Sequence, residues 1–445
     1  MKIALVNYAL PEPEAGGGTR WWHKAGSRWP ATILERANDG LQYFPWPFLL
    51  CYLKSMLEED GHTVELLDGC FHKWSLDRLE SAVRRAAPDF LVFETSEQTE
   101  HSDPAVLERI GRLAPVVLIG PNVTEEQSGL LSWPGCRAAV PGEYLASVVD
   151  FFRAPLEGFA PRREITGVDQ MDALPFAYRD PQAYPRYNAR FKTSPPGMQA
   201  QFVSMWGCQY RCKFCIWIHS YWPKTSQFKK HFSIPRLAAE LDRLRADFPQ
   251  VRSLYDDSDN HDYRSADDAL AFAEMMGRQG LPWAVLTRAD TFMKKDGSID
   301  WDLWRAYRDN GLHGVKIGIE GTQEVMDLTD KHLSEEVVRE WIPGMQDLGV
   351  SVYASFMVGV PGSTADADRR TMQLIDDLAS RRPDLFEYFV SYCDITRVTP
   401  FRDHRPAGAP HDGQALIEGF VRTGEVQTPS AAVAPLNLWR LEDHA

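Results

Sequence analysis

The sequence contains few cysteines, no excess of basic residues and no long apolar run. Seven cysteines occur in 445 residues, an odd and unevenly spread number that argues against a disulfide framework. The formal net charge of −14 disfavours nucleic acids and anionic membranes as partners, because both attract basic surfaces. No apolar stretch approaches the roughly 20 residues that a membrane-spanning helix requires. The N-terminal stretch MKIALVNYAL predicts a buried strand rather than a secretion signal. We therefore expect a cytoplasmic protein with reduced thiols.

The composition is that of a large globular protein. Apolar residues make up 44% and charged residues 25% of the chain, and its length predicts two or three domains. In residues 1–154, short apolar runs alternate with amphipathic segments. Strands that are apolar throughout and separated by helices indicate a parallel sheet covered on both faces. The sequence therefore predicts an α/β, doubly wound, Rossmann-like domain here.

The rest of the chain is predicted to form a second α/β domain behind a linker. Residues 155–200 are rich in proline and lack a sustained period, which is typical of a linker. Residues 201–400 contain six successive strand and helix patterns. Because eight such units close a barrel, six predict an open, partial (β/α)6 barrel with its chemistry at the C-terminal ends of the strands. Residues 401–445 are predicted to be a C-terminal extension.

Three of the seven cysteines lie in one short stretch, WGCQYRCKFCIW. Cys208, Cys212 and Cys215 directly follow the first predicted barrel strand, so we expect them on a loop at the active edge. Three grouped thiolates fit a [4Fe-4S] cluster with one iron left open for a ligand. The alternative is a zinc site with His219 as fourth ligand, although zinc sites usually present two separated cysteine pairs or a fixed histidine pair.

The CxxxCxxC spacing, with Phe214 directly before the last cysteine, resembles the radical S-adenosylmethionine (SAM) superfamily. The resemblance implies that Cys208, Cys212 and Cys215 hold a [4Fe-4S] cluster whose open iron is chelated by S-adenosyl-L-methionine. It also implies reductive cleavage of this cofactor to a 5′-deoxyadenosyl radical, which abstracts a hydrogen atom from the substrate. A flavodoxin or ferredoxin is the implied electron donor.

Other segments resemble the same superfamily. The stretch GVKIGIEGT is similar to a strand-to-helix segment next to the cofactor, and FMVGVPGST is similar to a segment that passes near its adenine. The stretch LTRAD offers an arginine for the cofactor carboxylate, and LYDDSDN is similar to the end of the strand after the cysteine loop. The resemblance implies the following cofactor-binding residues: Phe214, Arg288, Gly318, Glu320, Thr322, Gly359 and Pro361.

The order of a Rossmann-like domain, a linker and a barrel resembles the branch of this superfamily that has a cobalamin-binding domain. The D-x-H-x-x-G signature of an axial histidine is absent, and Pro121 and Asn122 stand where small residues would admit the nucleotide tail. Trp21, Trp22 and Trp29 are expected either to pack in a core or to wall a substrate pocket. We expect a degenerate domain that serves as a scaffold, with cobalamin binding as the alternative.

The residues after the cysteines suggest a substrate. The stretch is both aromatic and polar, which suits a sugar-like molecule, and its relevant residues are Trp217, His219, Tyr221 and Trp222. Acidic side chains suit substrate amines, and those expected near the site are Asp257, Asp259 and Glu320. The pattern is similar to the radical diol dehydratases of aminoglycoside biosynthesis, such as the one that acts on paromamine in the apramycin pathway.

This resemblance implies the dehydration of a vicinal diol on an aminosugar. Glu320 or Asp257 would deprotonate the substrate, and Tyr221 would donate a hydrogen atom or a proton. One alternative is a cobalamin-dependent radical C-methyltransferase. A second alternative is an epimerase with Cys393 as hydrogen donor.

Overall fold

The computed structural model describes residues 1–8 and 46–404, apart from positions 98, 101, 162, 166, 190–192, 222–228, 264 and 394. It also gives the backbone of short strands between residues 10 and 44 and at 438–439. The side chains of Trp21, Trp22, Trp29 and Trp222 lie outside the described residues, as does most of the predicted extension 401–445.

The chain forms two compact units. The first comprises Met1–Arg186 and Cys215–Phe228, and the second comprises Tyr187–Phe214 and Lys229–Ala445. The boundary after Arg186 falls inside the segment 155–200 that the sequence marks as a linker. The residues directly after the third cysteine group with the N-terminal unit, which no sequence pattern predicted.

Strands form most of the framework of both units. In the described part of the chain they are β1 (Lys2–Asn7), β2 (Leu10–Pro13), β3 (Thr19–His23), β4 (Ile33–Glu35), β5 (Tyr43–Phe44), β6 (Thr63–Asp68), β7 (Phe90–Glu94), β8 (Val116–Ile119), β9 (Cys136–Ala139), β10 (Gly158–Phe159), β11 (Asn188–Ala189), β12 (Met198–Phe202), β13 (Met205–Trp206), β14 (Lys230–His231), β15 (Val251–Asp256), β16 (Trp283–Thr287), β17 (Leu312–Glu320), β18 (Ser351–Val358), β19 (Phe386–Tyr392) and β20 (Leu438–Trp439).

Helices alternate with these strands. In the described part of the chain they are α1 (Phe48–Glu59), α2 (Gly69–His72), α3 (Leu76–Ala86), α4 (Asp103–Ile110), α5 (Leu145–Arg153), α6 (Val168–Asp172), α7 (Ile216–Tyr221), α8 (Ile234–Asp247), α9 (Ala266–Gln279), α10 (Trp301–Asp309), α11 (Gln323–Leu328), α12 (Glu335–Asp347) and α13 (Ala365–Arg381). None of the described helices is both long and apolar enough to cross a bilayer.

Several helices begin where a serine or threonine side chain accepts a hydrogen bond from a backbone N–H of the first turn. Ser75 caps α3 in this way, and Ser233 and Ser265 cap α8 and α9. Thr364 does the same for α13. Because such a cap satisfies an N–H that has no partner within the helix, these residues fix where each helix starts.

The N-terminal unit is a doubly wound domain, as predicted. Its sheet has the strand order β10-β9-β8-β7-β1-β6, and the described pairs are parallel. Strand β1, between β7 and β6, is buried, with Ile3, Ala4 and Leu5 at 0% exposure. The chain leaves β1 in one direction, to β6, and then crosses to β7 on its other side. This reversal creates a crevice at the C-terminal ends of β1 and β7, where ligands of such domains bind.

The second unit contains the predicted partial barrel. Six parallel strands follow one another in the order β12-β15-β16-β17-β18-β19, and in the described part of the chain β20 adds an antiparallel strand at the β19 edge. A helix precedes each new parallel strand, which is the repeated unit of a (β/α) barrel. The fold predicted from the sequence is therefore confirmed for both units.

One glycine offers a test of the N-terminal sheet. Gly120, directly after β8, has a φ of +109°, and a Cβ atom there would lie 2.4 Å from the carbonyl oxygen of Thr95. We expect Gly120→Ala to lower the free energy of unfolding by about 1–3 kcal/mol, because the backbone must move to admit the methyl group. Urea unfolding followed by circular dichroism measures this change.

The control for this substitution is Gly129→Ala, since nothing lies within 4 Å of a Cβ atom at that position. It should change the free energy of unfolding by less than about 0.5 kcal/mol. Equal effects of the two substitutions would show that the close approach to Thr95 does not constrain this turn.

Candidate functional site

The loop with the cysteines begins where β12 ends, at the C-terminal edge of the barrel sheet. Cys212 is 7% exposed and Cys208 is partly buried. Burial raises the pKa of both thiols, to about 11 for Cys208, while the cations of Lys331 and Arg288 oppose the rise for Cys212. Both thiols are therefore neutral near pH 7 until a metal centre displaces their protons.

A single zinc ion is the alternative metal centre for these thiols. Among the described residues, no three His, Cys, Asp or Glu side chains are grouped so that they could hold one metal ion. This holds for the three cysteines as much as for a set that includes His219, so it does not distinguish a zinc ion from an iron–sulfur cluster. His219 instead follows Cys215 by one helical turn, with its N–H donating to the Cys215 carbonyl oxygen at 3.4 Å.

The end of the second barrel strand fixes the start of the cysteine loop. Asp256, fully buried at the end of β15, accepts the Ser204 N–H at 2.9 Å and the Ser204 hydroxyl at 2.5 Å. Further along, Asp259 accepts the N–H of Gly207 at 2.6 Å. Because Gly207 directly precedes Cys208, these hydrogen bonds set the position from which the first thiol projects.

Asp256 is itself held by a buried histidine. His261 Nδ1 lies 2.9 Å from Asp256 Oδ2, and its Nε2 lies 2.9 Å from the Tyr307 hydroxyl on α10. The neighbouring Asp257, one of the two predicted bases, is 1% exposed, and its N–H donates to the Phe202 carbonyl oxygen at 2.7 Å. The motif DDSDN therefore supplies a buried carboxylate that holds the start of the loop, Asp256, and a predicted catalytic carboxylate, Asp257.

The fourth barrel strand, β17, ends in a buried ion pair. Glu320 Oε1 lies 2.7 Å from Lys331 Nζ, and the two residues are 5% and 7% exposed. Glu320 has a φ of +76°, which is strained for a residue with a side chain. A Cβ atom at Gly318 would lie 2.5 Å from the Glu320 carboxylate and 2.9 Å from Lys331 Nζ. A side chain at position 318 would therefore force the ends of the Glu320 and Lys331 side chains to shift.

Lys331 lies on a sharply bent segment, 329–332, that contacts the cysteine loop. Its neighbours Asp330 and His332 have φ values of +49° and +51°. The Lys213 N–H, one residue after Cys212, donates to the Thr329 carbonyl oxygen at 2.9 Å. This segment therefore supports the loop from the side of β17.

Arg288, at the end of β16, connects the bent segment to the same loop. Its Nη2 donates to the carbonyl oxygens of Lys331 and His332, at 2.9 and 3.2 Å. Its Nε and Nη2 also bind the Asp290 carboxylate at 2.7 and 2.8 Å, and its guanidinium lies 3.6 Å from the ring centroid of Tyr210. Burial alone would lower the pKa of Arg288, but the Asp290 carboxylate raises it, so this side chain stays charged.

The other predicted cofactor residues lie at nearby strand ends. The ring of Phe214 has Lys331 Nζ at 5.8 Å from its centroid. Thr322 is 8% exposed, and its hydroxyl has no hydrogen-bond partner among the described residues. Gly359, with a φ of +68°, donates its N–H to Asp368 at 3.1 Å and leads into Pro361. Because burial raises the pKa of Asp368, this turn is held by a carboxyl group in a poorly solvated position.

The structure brings five of the predicted residues together around one lysine that the sequence analysis missed. Charges and contacts link Lys331 to Cys212, Phe214, Arg288, Gly318 and Glu320. Lys331 follows a short helix in the stretch TDKHLS, where no apolar period or metal-ligand spacing marks it. Asp290, the partner of Arg288, was easier to find in the sequence than Lys331, because an acid two residues after a buried arginine predicts an ion pair.

Tyr221, the predicted donor, lies on α7 within the N-terminal unit. It is 1% exposed, and its ring contacts Trp217 and Tyr144 at centroid distances of 4.4 and 6.1 Å. Its carbonyl oxygen accepts the Glu143 N–H at 3.2 Å. These contacts are those of a packed aromatic residue, and its role as a donor stays a prediction.

The same helix bears on cobalamin binding. The Ser220 hydroxyl donates to the Pro121 carbonyl oxygen at 2.6 Å, just after β8, and Tyr221 binds Glu143 just after β9. Helix α7 thus covers the C-terminal ends of β8 and β9. These strand ends are not those of the crevice at β1 and β7, so cobalamin binding stays a prediction.

The buried ion pair can be tested by mutation. Lys331→Met leaves the Glu320 carboxylate buried without its cation, so we expect the free energy of unfolding to fall by about 3–5 kcal/mol. Adding Glu320→Gln should recover part of this loss, because it removes the unpaired charge. Denaturant unfolding of the two variants measures both effects.

An exposed ion pair supplies the control. Arg339 and Glu335 are paired at 2.8 Å on the surface of α12, so Arg339→Met should cost no more than about 1 kcal/mol. A Lys331→Met variant as stable as Arg339→Met would show that the Glu320–Lys331 pair does not hold the end of β17.

Comparisons with known proteins place the fold. No family model matches the chain, and no curated protein matches it. Among solved structures, the radical SAM methyltransferase TsrM from Kitasatospora setae, with cobalamin and a [4Fe-4S] cluster bound, is 16% identical with a TM-score of 0.59. That match covers 79% of this chain and 70% of TsrM. A second TsrM structure, with tryptophan substrate and a SAM analogue bound, is 17% identical with the same TM-score of 0.59, over 80% of this chain and 72% of that chain.

A second enzyme has a similar fold. The cobalamin-dependent SAM radical enzyme OxsB, in its apo form, is 13% identical with a TM-score of 0.59. The match covers 84% of this chain but only 58% of OxsB. The chain therefore has the fold of cobalamin-dependent radical SAM enzymes, a Rossmann-like domain followed by a partial barrel.

Proposed function

We propose that this protein is a radical SAM enzyme that acts on a small polar molecule. The observation that carries the proposal is the position of the CxxxCxxC loop, which leaves the first strand of a six-stranded parallel barrel sheet at its C-terminal edge. Hydrogen bonds tie that loop to Asp259, after the second barrel strand, and to Thr329 of the bent segment 329–332. Since three residues span at most about 11 Å, Cys215 lies within reach of a centre held by Cys212.

The residues present fit the two cofactors that the proposal requires. Cys208, Cys212 and Cys215 would hold a [4Fe-4S] cluster as thiolates. Glu320 and Thr322 would offer a carboxylate and a hydroxyl to S-adenosyl-L-methionine, because both are buried at the end of β17. When bound, the cluster and the cofactor supply a radical that removes a hydrogen atom from the substrate.

The side chains around the loop prepare this site. Lys331 binds the Glu320 carboxylate and fixes this residue in a strained conformation, which limits its movement when a ligand binds. Arg288 fixes the bent segment through Nε and Nη2, so Nη1 is the part of its guanidinium left to meet a cofactor carboxylate. Phe214 and Tyr210 cover the cations with aromatic rings, which reduces the access of water.

Two reactions remain as finer proposals. Cobalamin-dependent C-methylation is favoured by the fold comparison, because both similar enzymes are cobalamin-dependent. Dehydration of a vicinal diol on an aminosugar needs no cobalamin, and the aromatic and polar stretch after the cysteines suits a sugar-like molecule. In that reaction Asp257 or Glu320 would accept a proton, and Tyr221 would donate one. Epimerisation with Cys393 has less support, because Cys393 is 0% exposed and lies in an apolar cluster.

Reconstitution under anaerobic conditions tests the proposed class. We expect the wild-type protein to bind about four iron and four sulfide ions per chain and to cleave S-adenosyl-L-methionine when dithionite or a flavodoxin or ferredoxin supplies electrons. Replacing Cys208, Cys212 or Cys215 with alanine should abolish the cluster and the cleavage. Iron analysis and chromatography of 5′-deoxyadenosine measure these outcomes.

Cys136→Ala is the matched control, since burial likewise raises the pKa of that thiol to about 11 and it lies outside the loop. This variant should keep the wild-type iron content. A wild-type protein that binds a single zinc ion, or that leaves the cofactor intact under reduction, would exclude the proposed class.

The same preparation separates the two reactions. Incubation with aminoglycoside precursors such as paromamine, with and without added cobalamin, gives products that mass spectrometry distinguishes. Loss of water without cobalamin supports dehydration, and gain of a methyl group only with cobalamin supports C-methylation.

A further inference from the structure

Helix α13 packs behind two turns that carry predicted cofactor-binding residues. The first turn, 359–362, follows β18, and the second, 321–322, follows β17. Ala367 of α13 is 0% exposed and belongs to one apolar cluster with Met357 and Val360 from around the first turn. Val325 of α11, just after the second turn, belongs to the same cluster. The helix is therefore seated against the ends of both strands.

A single carboxylate binds the first turn to α13. Asp368 Oδ2 accepts the Gly359 N–H at 3.1 Å, and its Oδ1 accepts the Ser363 hydroxyl, also at 3.1 Å. Gly359 and Gly362 both have positive φ values, +68° and +88°. Because two such glycines give the turn many alternatives in the unfolded chain, these hydrogen bonds help to hold it in one form.

The position of Asp368 is unfavourable for an acid. The residue is 0% exposed, and no lysine or arginine in the described part of the chain is paired with it. Burial is the main cause that raises its pKa, and the nearby Glu324 carboxylate adds to the rise, while the hydrogen bonds from Gly359 and Ser363 lower it. Since a buried carboxylate without a cation costs free energy, an acid here is typical of a residue whose contacts serve a site.

The second turn is bound to the same helix, three residues further along. Thr371 is 0% exposed, and its hydroxyl oxygen accepts the Thr322 N–H at 3.4 Å. A Cβ atom at Gly321 would lie 2.7 Å from that oxygen, so α13 approaches this turn closely. Because residues three apart lie on one side of a helix, Asp368 and Thr371 form a polar row that contacts both turns.

We propose that Asp368 and Thr371 are positioning residues, which fix the two turns relative to each other for the binding of S-adenosyl-L-methionine. This inference rests on the proposed function. Thr322 belongs to the second turn, and Gly359 and Pro361 belong to the first, so one helix supports groups that would meet different parts of one ligand. A shift of either turn would change the distance between these groups and weaken binding.

Binding of S-adenosyl-L-methionine to the reconstituted protein without a reductant tests this role, and equilibrium dialysis measures the affinity. We expect Asp368→Leu and Thr371→Val to weaken binding about five- to tenfold, because each removes the acceptor of a turn N–H at nearly constant volume. Asp368→Asn and Thr371→Ser should recover most of the affinity, since each keeps an oxygen that can accept the same N–H. The iron content of all four variants should equal that of the wild type.

Hydrogen exchange of the protein without its cofactors supplies a second measurement. Asp368→Leu should speed amide exchange in the turn 359–362, and Thr371→Val should speed it in the turn 321–322, because each turn loses a hydrogen bond. A role in general stability would instead speed exchange throughout the barrel. Mass spectrometry of proteolytic peptides distinguishes these two patterns.

Asp376→Asn is the matched control. Asp376 lies on the same helix two turns after Asp368, and burial likewise raises its pKa, but it is exposed and contacts neither turn. This variant should keep the wild-type affinity and the wild-type exchange of both turns.

Unchanged affinity in Asp368→Leu and Thr371→Val would overturn the inference, as would faster exchange throughout the barrel. If Asp368→Leu does not fold, Thr371→Val and Thr371→Ser decide the question by the same two measurements, since they change a single group. Failure of the proposed function has a separate signature, since it is the absence of the iron–sulfur cluster or of cofactor cleavage in the wild-type preparation.

Discussion

The buried ion pair between Glu320 and Lys331 is the constraint on which the candidate site depends. Glu320 ends β17 in a left-handed conformation that costs on the order of 1–3 kcal/mol, so the surrounding contacts must hold it there. Lys331 does so from a segment that is itself bent at Asp330 and His332. Arg288 binds that segment through two carbonyl oxygens. The strained backbone of Glu320, the buried charges of Glu320 and Lys331 and the small residue at position 318 therefore belong to one arrangement.

This arrangement explains how a loop of cysteines can be ordered before a metal centre is present. Asp256 and Asp259 hold the residues before Cys208, and the Thr329 carbonyl oxygen holds the backbone after Cys212. Burial raises the pKa of the Cys208 and Cys212 thiols, which favours their neutral form over a group of like negative charges. The cations nearby become favourable when the thiols ionise, which couples the assembly of a metal centre to proton release.

The architecture and the cysteine loop were predictable because they rest on local patterns. Apolar strands alternate with capped helices, and the spacing of the cysteines is a property of the sequence itself. Both patterns can therefore be recognised without knowledge of tertiary contacts. Lys331 and Lys316 were not predictable, because one follows a short helix without a motif and the other stands in a strand whose register decides its face. The roles assigned to acidic residues were also uncertain from sequence, since Asp259 and Glu320 have partners far along the chain.

Fold similarity at 13–17% identity leaves the reaction to be decided by particular side chains. In the N-terminal unit, Ser220 and Tyr221 bind residues that follow β8 and β9 and so attach α7 to the ends of these strands. In the barrel, alternation puts Val315 and Ile317 against the helices and Lys316 on the inner face. The two faces of the barrel sheet therefore differ in chemistry, since one packs against helices and the other carries a buried charge.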